Sequence, residues 1–377
     1  MRMLLPAVLA AAFLVPPRLW AQAAGKESQW SFSVGVREGV ESRVLMSAAS
    51  DQGDLVSRPN ARLSYNRQGQ KLQLRLAGSG SGLFYKNLSD LNRFSYAGGL
   101  SGSYVASPRL RLGFADAVTS AYTYDTPALV ENGALLPLVR SLTNRARVDM
   151  EYQLSRRTFL VMDIQQDKVN FDSAGLVSGS RLSANTQVRR QVSASQSLGF
   201  VYGFSRYANR DRITYLNSVS GDWVGAVNRW LDANVSLGVG RLEDNIEPAA
   251  QTLPVATAGL TSHFRHLTAG VRYHHSAYPA YGLGQNRLVD AVSLDINQGI
   301  VRNLALIVTA RFALSTDPYD TDVRIFSQNH LAELSYDVVK NLSVVGGYTY
   351  RRRKANGPTS GIDSNGVHLS LSYGLKW

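Results

Sequence analysis

The chain has 377 residues, of which 44% are hydrophobic and only 18% are charged, against about 25% charged in an ordinary globular protein. It contains 32 Gly, 18 Tyr and no Cys, which excludes disulfide scaffolds, iron–sulfur clusters and cysteine nucleophiles, because each of these needs thiols. Basic residues outnumber acidic ones by 40 to 28, and 33 of the 40 are Arg. Such an excess is typical of proteins that bind nucleic acid, anionic lipid or an anionic solute. The positions of the arginines must decide among these three partners.

The first residues have the pattern of a secretory signal peptide. Arg2 supplies a basic start, an apolar run extends from Leu4 to Val15, and Ala21-Gln22-Ala23 is a small-residue cleavage site. A retained membrane anchor is the alternative, but the run is shorter than the roughly 20 residues that span a bilayer. We therefore expect a signal peptide at 1–23 and one exported domain at 24–377.

The rest of the chain alternates between apolar and polar residues. In Arg145–Leu154 one face is Ala, Val, Met, Tyr and Leu, and the other carries Arg, Asp, Glu and Gln. The same period of two recurs in Leu72–Leu76, Leu198–Phe204 and Leu304–Phe312. Such alternation predicts strands with one apolar and one polar face, and a length near ten residues is typical of strands that cross an outer membrane.

Short, mostly basic turns separate these strands about every 39 residues, a repeat that fits two long strands, a tight turn and a longer loop. The turns are Asn66–Gln70, Ser107–Arg109, Ser155–Arg157, Ser193–Gln196, Asn228-Arg229, Arg265-His266, Arg302-Asn303 and Lys340-Asn341. The longer loops fall near 41–59, 86–92, 122–141, 169–177, 206–211, 242–254, 276–287, 315–322 and 353–364. Eight turns and nine loops join 18 strands, an even count as in single-chain bacterial barrels.

Two other predictions concern the interior of the barrel. Strand one already alternates from Trp30, which leaves no residues for a plug domain before it. The connection at 122–141 is too apolar for a solvated loop tip. We expect it to fold into the barrel as a constriction, as the third loop of general porins does, or to pack on the rim; its apolar residues are Leu129, Val130, Leu135, Leu136 and Leu138.

The arginines within strands must face the lumen, because an Arg on the lipid face costs about 2–4 kcal/mol near the bilayer centre. Arg and carboxylates could pair across strands and brace the wall, or surplus arginines could attract anionic solutes. Arg181, Arg189, Arg272 and Arg311 have no acid two residues away on their own strand, which favours them for solute contact. The predicted pore-lining residues are Arg75, Arg145, Arg147, Arg181, Arg189, Arg272 and Arg311.

Other function classes find little support in the sequence. The arginines are dispersed along the chain rather than clustered with aromatics, which argues against nucleic-acid binding. Four of the six histidines lie within 263–275, but His263 and His274 are on opposite arms of a hairpin and too far apart to share a metal. No Ser/His or Asp/His pairing stands out in the sequence itself, so we expect no enzyme, no cofactor and no metal. A propeller or β-solenoid would need shorter strands than these.

The C-terminus, GVHLSLSYGLKW, is apolar at every second position and ends in an aromatic residue. It resembles the terminal-strand signal that the barrel-assembly machinery of Gram-negative bacteria recognises, with Tyr373, Leu375 and Trp377 as the signal residues; most such proteins end in Phe. This resemblance implies a bacterial outer-membrane location, with outer-membrane lipid and the assembly machinery as partners.

The turns SPRL, SRRT and VRNL, and the strand pair GFVYGFSRY and GDWVGAV, resemble the beta-barrel porin 2 type of outer-membrane protein. That resemblance implies an association with exopolysaccharide production and its export components. The sequence thus predicts an all-β, transmembrane, antiparallel up-and-down β-barrel of about 18 strands without a plug. We expect a channel for small, anionic or saccharide solutes, with exopolysaccharide export as a specific form; the alternative is a structural or assembly-partner barrel with a closed lumen.

Overall fold

The computed structural model describes residues 28–42, 53–123, 138–247, 249–319, 324–355 and 361–377. These residues form 18 β-strands and one short 3-10 turn at Ser89–Leu91. The strands are β1 Ser28–Glu41, β2 Asp54–Gln68, β3 Leu72–Tyr85, β4 Arg93–Ser107, β5 Leu110–Tyr122, β6 Arg140–Ser155, β7 Thr158–Phe171, β8 Gly179–Gln191, β9 Gln196–Asn209, β10 Ile213–Asn228, β11 Leu231–Asp244, β12 Gln251–Phe264, β13 Leu267–Ala280, β14 Gln285–Val301, β15 Leu304–Thr316, β16 Arg324–Val339, β17 Leu342–Ala355 and β18 Ile362–Lys376.

All neighbouring strands are antiparallel and consecutive in the chain, and β1 pairs with β18, so the sheet closes on itself. The predicted up-and-down barrel of 18 strands is confirmed, and within the described residues no separate domain fills it. The two termini lie at the end that carries the short turns; we call this the turn end and the opposite end the loop end. No described helix is long and apolar enough to span a membrane.

Alternation divides each strand between the lumen and the outer surface. On β9, Leu198, Phe200 and Tyr202 are 46–55% exposed on the outer side, while the register places Gly199 beside Arg189 on the inner side. The same division holds on β11, where Leu237 and Val239 are exposed outside. Because the polar residues line one side of a closed sheet, they share one lumen.

The strands are longer than the sequence predicted, with 13 to 17 residues each. Asp116 follows Leu112 and Phe114 on the apolar face, a pattern that favours a bulge or a change of register, but the β5–β6 ladder is continuous from 110 to 122. Asp116 lies on the outer side of the barrel, and its carboxylate accepts a hydrogen bond of 2.8 Å from Asn144 on β6.

One hairpin leaves the wall at the loop end. The β12–β13 ladder stops at Ala256↔His275 and the β14–β15 ladder starts only at Leu288↔Thr316, yet β13 and β14 stay paired up to Ala280↔Gln285. Residues 276–287, for which the sequence predicts a loop, thus form a ribbon whose two strands pair with each other and are in no ladder with β12 or β15. We call residues 276–287 the inner hairpin, because its contacts are with the lumen side of other strands.

The inner hairpin rests on an apolar seat formed by inward-facing residues of β9 to β12. Ala277 is 1% exposed and packs in one cluster with Tyr207, Leu216, Leu242 and Leu253. The Tyr207 hydroxyl donates a hydrogen bond of 3.0 Å to the Ala277 carbonyl, although the two residues lie on strands four apart. The ribbon therefore crosses the lumen face of β9 to β12 and buries apolar surface there.

The tip of the inner hairpin reaches the loop between β7 and β8. Val177 and Gly282 exchange two backbone hydrogen bonds of 3.2 and 2.9 Å. Gly282 and Gly284 adopt positive φ angles of 90° and 71°, which only glycine adopts at low cost. Tyr281 packs with Val169 in this contact, and burial raises the pKa of its phenol. One side of the lumen is thus bridged from β8 to β14.

Candidate functional site

The remaining lumen contains a polar cavity of about 530 Å³ on the side opposite the inner hairpin's seat. Strands β1 to β5 and β15 to β17 supply its walls. Four of the lining residues are arginines, Arg37, Arg58, Arg311 and Arg351. Most of the others carry hydroxyl or amide groups: Ser79, Ser81, Ser95, Thr119, Thr309, Asn329 and Thr349. Arg58 forms an ion pair with Glu41, so the cavity offers partly neutralised cations together with neutral hydrogen-bonding groups.

Strand register brings the four arginines together in two pairs. Arg37 on β1 lies directly opposite Arg58 on β2. On the other side of the cavity, Arg311 on β15 and Arg351 on β17 are both opposite Asn329 of the intervening strand. Sequence reasoning found Arg311 but missed Arg58 and Arg351, because alternation gives the face of a residue and not its neighbours on distant strands.

Glu333 holds Arg37 at the cavity edge. One Glu333 carboxylate oxygen accepts a hydrogen bond of 3.1 Å from Arg37 and lies 3.1 Å from Nε2 of His368. Gly39 and Gly347 lie under this cluster, and a Cβ at Gly347 would meet the His368 ring at 2.5 Å. The glycines thus leave room for the side chains of Arg37, Glu333 and His368. The Glu333 carboxylate reduces the positive charge that Arg37 presents to the cavity.

The predicted pore-lining residues on β6, β8 and β13 lie outside this cavity's lining, and most of them meet carboxylates. Arg145 pairs with Asp167 at 2.6 Å, and Arg147 lies 3.7 Å from Asp149. Arg189 and Arg272 lack an acid on their own strands but find one on another strand, Glu151 at 3.2 Å and Asp295 at 2.8 Å. The contact of these residues with a solute stays a prediction.

Arg181 and Arg75 have different surroundings. The Arg181 guanidinium lies between the rings of Tyr207 and Tyr278, 5.8 and 5.4 Å from their centres, and its buried Nε has no hydrogen-bond partner. It therefore contributes to the contact between β9 and the inner hairpin. Arg75 lies on the lumen side of β3, with Asn66 and Ser101 as its cross-strand neighbours.

Charge is unevenly divided around the lumen. We call the lumen side of β1–β5 and β15–β18 the basic wall and that of β6–β14 the acidic wall. The basic wall carries Arg37, Arg58, Arg62, Arg75, Arg93, Arg111, Arg311, Arg351, Arg353 and Lys376 against Glu41, Asp54, Glu333 and Asp337. The acidic wall carries Asp149, Glu151, Asp163, Asp167, Asp222, Asp232, Asp244 and Asp295 against Arg145, Arg147, Arg181, Arg189, Arg272 and Arg287.

The predicted constriction loop is almost entirely outside the described residues. Leu129, Val130, Leu135 and Leu136 fall in that part, and Leu138 is half-buried just before β6. The described constriction is the inner hairpin. The sequence does contain a signal for the inner hairpin. The lumen-facing positions of β10 to β12 are mostly polar, but near the loop end they are apolar, at Leu216, Leu242 and Leu253.

The last residue extends the β1–β18 ladder that closes the barrel. Trp30 and Trp377 exchange backbone hydrogen bonds of 2.9 and 3.1 Å, which extend the β1–β18 ladder to the final residue. Tyr373, Leu375 and Trp377 lie on the outer face of this ladder. The geometry thus accounts for a structural role of the terminal residues, whereas their recognition by the assembly machinery stays a prediction.

Comparisons with known proteins agree with the fold. No protein-family model and no curated protein sequence matches the chain. Among solved structures, OpdK of Pseudomonas aeruginosa with vanillate is similar with a TM-score of 0.51 and 13% identity, covering 93% of this chain and 99% of that one. OccAB4 of Acinetobacter baumannii has a TM-score of 0.48 and 13% identity, with coverages of 93% and 99%. At these identities the likeness to OpdK supports the barrel fold alone.

Proposed function

We propose that this protein is an outer-membrane channel for small anionic and hydroxylated solutes. The observation that carries the proposal is the polar cavity with Arg37, Arg58, Arg311 and Arg351 beside serine, threonine and asparagine side chains. Guanidinium groups bind carboxylates and phosphates, and the neutral groups can bind sugar hydroxyls. An 18-strand barrel is wide enough to hold an aqueous path beside the inner hairpin.

The lining favours solutes that combine negative charge with hydroxyl groups, since guanidinium groups lie beside serine, threonine and asparagine side chains. A sugar acid or a short acidic oligosaccharide combines the charge and hydroxyl groups that the lining can bind. Export of an acidic exopolysaccharide, with export components as partners, is the specific form that the sequence resemblance suggests. Vanillate, which is bound in the OpdK structure, is a carboxylate about as large as a single sugar acid. It therefore serves as a probe of anion passage.

The second candidate is a structural barrel with a closed lumen. The inner hairpin and the ion pairs of the acidic wall favour it, because both fill space and neutralise charge inside the barrel. The two candidates differ in one property, since a closed barrel passes no solute in any membrane.

Solute flux into proteoliposomes tests the proposal. We expect swelling with glucuronate and vanillate to be faster than with glucose, and the double variant R311Q/R351Q to lose most of this preference. The matched control R156Q/R157Q removes two arginines from a turn outside the lumen and should keep the preference. Equal rates for glucuronate and glucose would contradict the anionic specificity, and no flux from folded, inserted protein would favour the closed barrel. Acidic oligosaccharides of increasing length then test the export form.

A further inference from the structure

The two sets of connections between strands differ in the charge of their sequences. The eight turns at the turn end contain eight basic residues and no acidic one: Lys71, Arg109, Arg156, Arg157, Arg229, Arg265, Arg302 and Lys340. The segments between strands at the loop end contain ten acidic and four basic residues. In the described structure these eight turn cations are all exposed, and none of them is in an ion pair.

Aromatic side chains accompany this charge on the outer surface. Trp230 and Phe264 stack with their ring centres 5.7 Å apart and are 38% and 53% exposed. Aromatic residues at such a position mark the membrane–water interface. The cations of neighbouring turns are therefore at the depth of lipid headgroups, and short turns are the periplasmic ends of single-chain barrels.

Two neighbouring turns at the turn end place exposed arginines directly beside the aromatic stack. Arg229 lies over the Trp230 ring, with Cζ 4.6 Å from its centre, and Arg265 follows Phe264 directly in the chain. The His263 amide donates a hydrogen bond of 2.8 Å to the Trp230 carbonyl, which joins the two turns. The carboxylate nearest in register, Asp232, faces the lumen and lies 3.4 Å from His263, so it does not neutralise the arginines outside.

We propose that Arg229 and Arg265, with the Trp230–Phe264 stack, bind the headgroup of an anionic phospholipid of the periplasmic leaflet. The two guanidinium groups contact the phosphate, and the rings cover the glycerol backbone. The acyl chains continue over the apolar outer surface at Leu237 and Leu260, which are 63% and 50% exposed. This inference rests on the outer-membrane placement proposed above but does not need an open pore.

Native mass spectrometry of the folded barrel in detergent, with equal amounts of phosphatidylglycerol and phosphatidylethanolamine of the same acyl chains, tests the site. We expect phosphatidylglycerol to be preferred at least about tenfold, since each interfacial cation contributes about fivefold to the binding of anionic lipid. The variant R229Q/R265Q should reduce this preference to within about twofold. The matched control K86Q/R210Q removes two cations from the loop end and should keep it.

Each of the other outcomes overturns the proposal. Equal binding of the two lipids by the unaltered protein excludes a headgroup site. A preference that survives in R229Q/R265Q, or that is lost equally in K86Q/R210Q, shows that these two arginines do not form the site. If R229Q/R265Q keeps the lipid preference and loses anion conductance, the arginines serve the pore mouth. Solute flux in proteoliposomes is measured separately, so failure of the lipid site is distinguishable from failure of the channel.

Discussion

Removal of the inner hairpin tests whether it limits the passage. Residues 277–288 can be replaced by a two-residue Asn-Gly turn, because Ser276 and Val289 are cross-strand partners at the point where the ribbon leaves the wall. The rest of the β13–β14 ladder is retained. The change removes Ala277 from its seat and the Gly282 contact with Val177.

The expected effect follows from the dimensions of the barrel. Eighteen strands about 4.8 Å apart and tilted by about 40° give a backbone radius of about 18 Å. Side chains reaching about 5 Å inward leave a cross-section of about 500 Å². A two-stranded ribbon about 10 Å wide and five residues, or about 17 Å, long covers roughly 170 Å², about a third of the opening. Its removal should raise the single-channel conductance at least about 1.5-fold.

Single-channel recording in a planar bilayer measures this conductance, and heat-modifiable migration in gels verifies that the shortened barrel is folded. A control with Asn-Gly replacing residues 192–195, an exposed connection between β8 and β9 at the turn end, should leave conductance unchanged. Unchanged conductance in the shortened β13–β14 variant would refute the constriction. A rise of the same size in the control would show that any shortened loop has the effect.

Three further predictions concern single residues. Replacing Glu333 with Gln removes the carboxylate that pairs with Arg37 at 3.1 Å, so Arg37 presents its full charge to the cavity. The reversal potential in a KCl gradient should therefore move toward that of chloride, and the absence of a shift would contradict this role of the pair. Replacing Leu242, which is 0% exposed, with Ala should lower the free energy of unfolding in guanidinium by about 2–5 kcal/mol, whereas the same change at Leu237 on the outer surface leaves no cavity and should cost less. Deleting Trp377 removes two backbone hydrogen bonds between the chain ends and should reduce the yield of folded barrel, which W377F should restore; an unchanged yield would show that barrel closure does not depend on this residue.

The sequence predicted the architecture because the barrel is built from one repeated local pattern. Alternation in strands such as Arg145–Leu154, with turns such as Arg156-Arg157, determines strand number, pairing and face without long-range information. The sequence predicts only a loop at the inner hairpin, because the ribbon depends on contacts of Ala277 with Leu216, Leu242 and Leu253 on other strands. Alternation also predicts that Arg189 and Arg272 face the lumen. It does not predict their ion pairs with Glu151 and Asp295, because an ion pair depends on which residues are neighbours across the sheet.

The reversal potential of the unaltered protein in a planar bilayer under a KCl gradient tests the central claim most directly. An open passage along the basic wall predicts discrete conductance steps with a reversal potential on the chloride side of zero, and this preference should weaken at high salt, where the fixed charges are screened. Steps without preference, or a preference for potassium, would contradict the assignment of the arginine-lined cavity as the path. The absence of steps from protein that is folded and inserted would contradict the channel itself.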